Sequence, residues 1–410
     1  MTELFVSSWS EFVNELTATT FGALGELFDG PHATPRRLDA GPYFLNIASL
    51  KSGRLDLSLS DHVSDEDFER WTKRVTPRGG DLLFSYETRL GEAALMPEGI
   101  RACLGRRMAL LRPNTAVVDP RFLLYYYLGP QFQRTIAENT IQGATVPRIA
   151  LSTMPQWRVT LPPLRSQRAI AEVLGALDDK IASNSRVGSL SVALADALFQ
   201  QAVLDEETVQ STYSDAADIG GGGTPKTSVE EYWNGEISWA TPTDVTSLTL
   251  PYLFTTSRKI SEKGLAACPS SLYPRGSILM SSRATIGAFA IAQLEIAVNQ
   301  GFIVVNARDK AHQWWLFHDM RSRVPEFMNY ANGATFLELS RGKFKALPVR
   351  LPTPRAASRF NDAVTGLHEL SAQVLEENSA LAKTRDELLP LLMSGKLRVK
   401  DAEKVVEEIA

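Results

Sequence analysis

Three side-chain constellations would give this chain chemistry of its own, and each is incomplete. Methyl transfer to an exocyclic amine calls for an Asn/Asp-Pro-Pro-aromatic loop; Pro162-Pro163 is flanked instead by Leu161 and Leu164. A metal-dependent nuclease calls for Asp with Glu-x-Lys, and no Glu-x-Lys occurs. A nucleotide-binding loop needs G-x-x-x-x-G-K-[ST], whose backbone amides cradle phosphates while the lysine reaches them. Gly220 to Gly223 is glycine-rich, but Thr224-Pro225 separates it from Lys226. That pattern suits a tight loop that packs closely or lies against nucleic acid. The five histidines (His32, His62, His312, His318, His368) form no H-E-x-x-H pattern. His318 and His368 fall in helix-forming stretches and read as packing or solvent-facing residues. Cys103 and Cys268 are too few for a disulfide framework and lack metal-ligand spacing. The expectation is a chain with no catalytic residue and no metal site.

The elements that would position other side chains are duplicated. Gly143-Ala144-Thr145 recurs as Gly333-Ala334-Thr335, and Val159-Thr160-Leu161-Pro162 as Val349-Arg350-Leu351-Pro352. Arg165 answers to Arg355, and Thr34-Pro35 to Thr224-Pro225. Between these blocks Gly80-Asp81-Leu82-Leu83-Phe84-Ser85 matches Gly276-Ser277-Ile278-Leu279-Met280-Ser281, and Leu90-Gly91 matches Ile286-Gly287, at a slightly larger offset. An offset that opens and closes again is what loop insertions produce in two copies of one domain. Each copy reads as mixed α/β. Short apolar runs after Pro-Arg-Gly turns (residues 80–86 and 277–281) predict strands, as do 108–111 and 302–305. Residues 122–128 and 314–320 predict helices.

A Leu-Pro boundary and a long periodic stretch follow each copy. In the second stretch Phe360, Leu367, Val374, Leu381 and Leu388 are seven apart, with Val364, Ser371, Asn378, Arg385 and Leu392 as companions. This is an a/d heptad seam. In the first, Ile170, Leu174, Leu177, Ile181, Asn184, Val187, Leu190, Leu194 and Leu198 give a similar stripe, which Gly188 weakens. Each stripe needs a partner, so the two helices are expected to pair antiparallel, with Asn184 or Asn378 fixing register. A helix of about 36 residues is ~54 Å long against ~34 Å for a turn of DNA, so such a rod would act as a ruler on a split site.

The chain has 410 residues and a net charge of −4, which argues mildly against a nucleic-acid binder. The distribution is uneven. Residues 1–160 carry a net −1, 161–210 a net −3, 211–350 a net +2 and 351–410 a net −2. Phosphate affinity grows with the phosphates neutralised, so a basic partner would share the load. No run of eighteen apolar residues and no basic-then-apolar leader is present, and a reducing cytoplasm is the expected location.

Several motifs together resemble the specificity subunits of type I restriction-modification enzymes. Leu161-Pro162-Pro163-Leu164 with Gln167, Ile170-Ala171, Leu174, Leu177-Asp178 and Lys180-Ile181 resembles their central region. Gly221-Gly222-Gly223-Thr224-Pro225, then Tyr232-Trp233, Gly235, Ile237 and Trp239, resembles the opening of their target-recognition domain. Ser281 to Gly287 and Ala297 to Phe302 resemble its middle, and Leu391 to Leu397 the family's C-terminal end. The first copy departs from this pattern, opening Asp29-Gly30-Pro31-His32-Ala33-Thr34-Pro35.

The resemblance implies an α+β chain with two duplicated α/β target-recognition domains, separated and joined by two long antiparallel coiled-coil helices. The expected divisions are an N-terminal segment 1–20, a first domain 21–160, a central helix 161–204, a second domain 205–350, a C-terminal helix 351–400 and a tail 401–410. It further implies that each domain reads half of a bipartite double-stranded DNA site. Two methyltransferase subunits would use S-adenosylmethionine to methylate adenine N6, and motor-nuclease subunits would use ATP and Mg2+ for cleavage. This chain would hold no cofactor. A related fused methyltransferase-nuclease as partner, or a protein-only coiled-coil scaffold, are the alternative readings.

Base edges are read mainly by Arg, Lys, Asn, Gln, Ser and Thr. The second domain offers Thr224, Lys226, Ser282, Arg283, Thr285, Asn299, Gln300 and Thr335, with Arg283 foremost because it follows a strand into a polar loop. The first offers Arg36, Arg37, Tyr86, Thr88, Arg89, Arg106, Arg107 and Thr145; Arg106 and Arg107 read equally as solvated strand-edge residues. Arg165, Gln167, Asp178, Arg355 and Glu369 are the candidates for docking the methyltransferase.

Overall fold

The structure, a computed structural model, describes residues 16–31, 34–143, 146–333 and 337–407. It divides into two compact units. Unit 1 is Met1–Ile181 with Ala380–Ala410, and unit 2 is Ala182–Ser379.

In unit 1 a four-stranded antiparallel sheet runs in the order Gly25–Asp29, Met108–Pro113, Leu82–Ser85, Ala93–Leu95. A three-stranded sheet places Leu38–Leu45 between Asp61–His62 and Ala102–Leu104, the last pair parallel. The central strands read as unbroken apolar runs because both of their faces are covered. Leu82, Phe84, Ala109 and Leu111 point into the cluster shared with the helices Pro120–Leu128 and Pro130–Glu138. Leu83, Met108 and Leu110 point the other way, onto Leu45, Ala102 and Leu104. That is the two-residue period of a pleated strand with a core on each side. Asp119 starts the first of these helices by accepting hydrogen bonds from the Arg121 and Phe122 amides, with Pro120 at the first turn.

Unit 2 repeats the plan. Its larger sheet runs Ala217–Gly220, Phe302–Ala307, Ile278–Ser281, Phe289–Ala292, Tyr252–Leu253, and its smaller one places Trp233–Ala240 between Arg258–Ile260 and Ile296–Val298. Again Ile278, Met280, Ile303 and Val305 face one cluster, and Leu279, Phe302 and Val304 the other. In each unit one more antiparallel pair joins the start of the module to its end, Thr17–Thr20 with Arg158–Leu161 and Thr208–Thr212 with Pro348–Pro352.

The two long helices are Leu164–Asp205 and Pro354–Met393. Their pairing is antiparallel. Within unit 2, Glu206 meets Arg359, Gly188 meets Ser371 and Ser185 meets Asn378. The seam of the second helix follows the heptads, with Phe360, Val364, Ser371, Val374, Asn378, Leu381, Leu388 and Leu392 buried. Two positions differ: His368 is buried where Leu367 was expected, and Arg385 is only half-buried.

The first helix departs from its expected stripe after Asn184. The buried positions there are Gly188, Ser191, Val192, Ala195 and Phe199, while Val187, Leu190 and Leu194 are 37%, 60% and 50% exposed. Gly188 is the cause. A Cβ at this position would lie 2.7 Å from Leu250 Cδ1 and 3.2 Å from Val374 Cγ2. The glycine is therefore a seam residue that admits close approach, and Ser371 Oγ donates to its carbonyl at 3.0 Å. An 18-residue window of this helix has mean hydropathy 1.4, enough by length and composition for a membrane span; seam packing gives its buried apolar residues another role. Beyond the second helix, Val399–Glu407 forms a further helix, with Ala402 buried in the unit 1 core.

Candidate nucleic-acid interface

The same loop crossing is built in both units. After the strand Leu82–Ser85 the chain turns through Thr88 and Gly91, at φ +75° and +86°; after Ile278–Ser281 it turns through Ala284 and Gly287, at +60° and +86°. Three backbone hydrogen bonds hold each loop. In unit 1 the Tyr86 amide donates to Arg107 O, the Thr88 amide to Pro147 O, and the Ile149 amide to Tyr86 O. In unit 2 the Ser282 amide donates to Gly301 O, the Ala284 amide to Leu337 O, and the Leu339 amide to Ser282 O. The crossing thus joins three segments: the loop after the central strand, the turn 105–107 or 299–301 that links the two sheets of the module, and the returning segment 147–149 or 337–339.

In unit 2 this brings several candidates together. Thr224 Oγ1 donates to Gln300 Oε1 at 2.7 Å, and both are exposed. Asn299 shapes the same turn, its Oδ1 accepting from the Gly301 amide at 2.8 Å. Arg283 Nη2 donates to Glu338 Oε1 at 2.9 Å. Lys226 and Thr285 are exposed. Ser282 is not available: it is 3% exposed, so its side chain faces the interior and carries no base contact. The glycine run before Thr224 packs tightly. A Cβ on Gly222 would sit 1.7 Å from Val298 O, and Trp239 Nε1 donates to Gly223 O. It is a close-packing turn and lifts Thr224 and Lys226 outward.

In unit 1 Arg36, Arg37, Thr88 and Arg106 are exposed. Arg37 pairs with Asp61 at 3.2 Å. Arg89 is half-buried near Glu92 at 3.4 Å. Arg107, at φ +71°, lies in the turn between the two sheets rather than on a strand edge; its Nε is 3.5 Å from Glu87 and its Nη1 donates to Thr88 Oγ1. Tyr86 occupies the place of Ser282 and is likewise buried, which pushes its hydroxyl pKa up and removes it from the surface. Thr145 and Thr335 lie outside the described residues.

Two of the docking candidates are internal. Gln167 is 2% exposed; it accepts from the Asp119 amide and donates to Val117 O and Pro162 O, tying the helix start to its module. Asp178 is half-buried and accepts from Tyr125 and Arg385. Arg165, Arg355 and Glu369 are exposed.

Some exposed cations escaped the sequence reading. Arg148 stands opposite Glu87 in the crossing. Arg258 stacks 3.6 Å over Trp233. Arg341, Lys343 and Lys345 are exposed on a short helix whose first residue lies against Gly221. The alternation of Arg341, Lys343 and Lys345 was the available signal for the last group. Among the described residues no group of three His, Cys, Asp or Glu is placed to hold a metal ion.

The family described as "Type I restriction modification DNA specificity domain" matches residues 43–187 and again 206–359. The chain is 31% identical over 176 residues to the type I restriction enzyme MjaIX specificity subunit of Methanocaldococcus jannaschii, covering 42% of this chain and 41% of that protein. It is 21% identical over 387 residues to the putative MjaX specificity subunit of the same organism, covering 86% and 87%. The fold is similar to a type I restriction-modification S subunit from M. genitalium, with TM-score 0.59, 16% identity and 92% and 96% of the two chains covered. Matched twice and over more than half its residues, this chain belongs to the type I restriction-modification DNA specificity family.

Proposed function

We propose that this chain is the non-catalytic, DNA-reading subunit of a type I restriction-modification enzyme, each module reading one half of a bipartite site. The observation that carries the reading is the loop crossing, formed twice with the same hydrogen bonds and different side chains. A common backbone scaffold that varies its exposed polar residues suits two half-sites of different sequence, because base edges are distinguished by side-chain donors and acceptors. The long helices set the spacer between half-sites and dock two methyltransferase subunits that use S-adenosylmethionine. The apolar stripe Val187, Leu190 and Leu194, exposed on the first helix, supports a docking role better than Gln167 or Asp178. Motor-nuclease subunits with ATP and Mg2+ complete the cleaving enzyme.

Mapping methylated adenines in cells that express the chain with its methyltransferase tests the reading. A motif of two short half-sites at fixed spacing is expected, and a single contiguous motif would count against it. Whole helical turns added to or removed from residues 170–200 should change the spacer; one spacer for every length variant would refute the ruler. Purified chain with S-adenosylmethionine should transfer no methyl group, and turnover would overturn the non-catalytic assignment.

A further inference from the structure

At one place the two units have the same backbone and opposite charges. Glu87 bridges Arg148 in unit 1, and Arg283 bridges Glu338 in unit 2. The flanking hydrogen bonds, Thr88 to Pro147 and Ala284 to Leu337, make these equivalent positions. In unit 2 the cation is on the loop and the anion on the returning segment. Glu338 holds one Nη2 hydrogen of Arg283 at 2.9 Å, and both side chains are about two-fifths exposed. Nη1 of Arg283 has no partner among the described residues. In unit 1 the anion is on the loop, where Glu87 is engaged by Arg107. The cation is on the strand, where Arg148 is exposed and has no side-chain partner among the described residues. Each crossing therefore presents one guanidinium with donors to spare, from opposite sides of the same bridge.

We infer that this bridge is a specificity-determining position in both modules. Arg283 and Arg148 each read a guanine through its O6 and N7, and Glu338 is a positioning residue for Arg283. The inference rests on the DNA-reading function proposed above. A planar fork of N–H donors matches the paired acceptors on the major-groove edge of guanine, which a single ammonium does not. A carboxylate that already restrains one edge of the fork lowers the entropy lost when the other edge binds. Because the charge order is inverted, the fork is carried by different chain segments in the two modules, so the equivalent crossing reads a different base position in each half-site.

Sequencing the randomised DNA duplexes retained by the full chain assembled with its methyltransferase tests this, with affinity for one scrambled duplex measured in parallel. Wild type is expected to select two half-sites. Arg283→Ala should reduce the preference for guanine at one position of one half-site by about tenfold, and Arg148→Ala should do so in the other half-site. Arg283→Lys, which keeps the charge without the fork, should lose the same preference while its affinity for scrambled DNA is unchanged. Glu338→Gln should weaken preference at the Arg283 position alone, by less. If the variants leave every position unchanged, or weaken all sequences equally, the bridge does not determine specificity although the wild-type motif stands. If wild type selects no bipartite motif, the DNA-reading function itself fails, and this inference with it.

Discussion

Both units fasten a module helix to the long helices with a polar knot, and the two knots have different chemistry. In unit 1 the Tyr125 hydroxyl donates to Asp178 at 2.6 Å, Arg385 donates to the same carboxylate at 2.7 Å, and Arg54 approaches it at 3.6 Å. In unit 2 the place of Asp178 in the repeat is taken by His368. Tyr252 donates to His368 Nδ1 at 2.7 Å, His368 Nε2 meets His318 Nε2 at 2.9 Å, and His318 Nδ1 donates to Asp196 at 2.7 Å. Arg321 holds the other oxygen of Asp196, and Trp314 stacks on His368 with ring centroids 3.8 Å apart. With both imidazoles neutral every contact in this chain pairs a donor with an acceptor, whereas protonating both rings would set N–H against N–H between them. Burial, then repulsion from His318, pushes the His368 pKa down to about 3. Burial also lowers that of His318, although Asp196 opposes it. Burial alone would raise the Asp196 carboxyl, but its bonds to His318 and Arg321 outweigh that and hold it below the usual range. The same mechanical task is therefore done by an ion pair in one unit and by imidazoles held neutral in the other, and only the second contains groups whose ordinary titration range lies near neutral pH and which burial shifts below it.

The largest way to break this contrast is His368→Ala. It removes the ring stacked on Trp314 and leaves Tyr252 and His318 without partners, so unit 2 should lose about 3–4 kcal/mol. Hydrogen exchange should report faster opening of unit 2 amides only; equal acceleration in unit 1 would refute two separate knots. Acid gives the next effect. With folded pKa values below 6.5, the unfolded chain takes up protons first. Stability is thus intact above about pH 6.5 and falls as pH drops toward 3, by ~2 kcal/mol at pH 5 from His368, with His318 adding in the same direction. Thermal melts at pH 7.5 and 5 should move the unit 2 transition down, and a transition that stays put would show that the rings are not buried neutral. Arg385→Met sharpens the unit 1 side. It removes one of the partners of Asp178 at a partly solvated site, and a loss of about 1–2 kcal/mol is expected in urea unfolding of unit 1. Smallest is Arg359→Ala, which breaks an exposed pair with Glu206 and should cost less than about 1 kcal/mol.

The duplication was legible because the strands keep their residues while loops absorb the insertions. Gly80 and Gly276, both at positive φ, mark the same turn in sequence and in space. The heptad seam of the second helix was legible for a similar reason, since burial there follows the seven-residue spacing almost position by position, polar Ser371 and Asn378 included. In the first helix it does not. Val187, Leu190 and Leu194 are more apolar than Gly188, Ser191 and Ala195, yet the small residues face the partner because the backbones approach closely there. Hydropathy does not register a requirement for absent volume. At the candidate interface the residue types were legible and their orientation was not. Tyr86 and Ser282 follow exposed-looking loop starts, but the three-bonded crossing turns them inward. Arg148 and Glu338 were passed over because each lies far in sequence from its bridge partner. Reading the two copies against each other for reversed charge would have found them.

The order in which the chain is made adds a last consequence. Unit 1 is discontinuous: its core includes Leu381, Leu388, Leu392 and Ala402, residues synthesised after the whole of unit 2. During translation the second module can therefore close its core before the first, although the first leaves the ribosome earlier. Until residues 380–407 arrive, the buried face of Ile170, Leu174 and Leu177 stands uncovered, and the first module is the part of the nascent chain most in need of chaperone protection. Ribosomes paused shortly before residue 380 should release a chain whose second module resists protease and whose first does not.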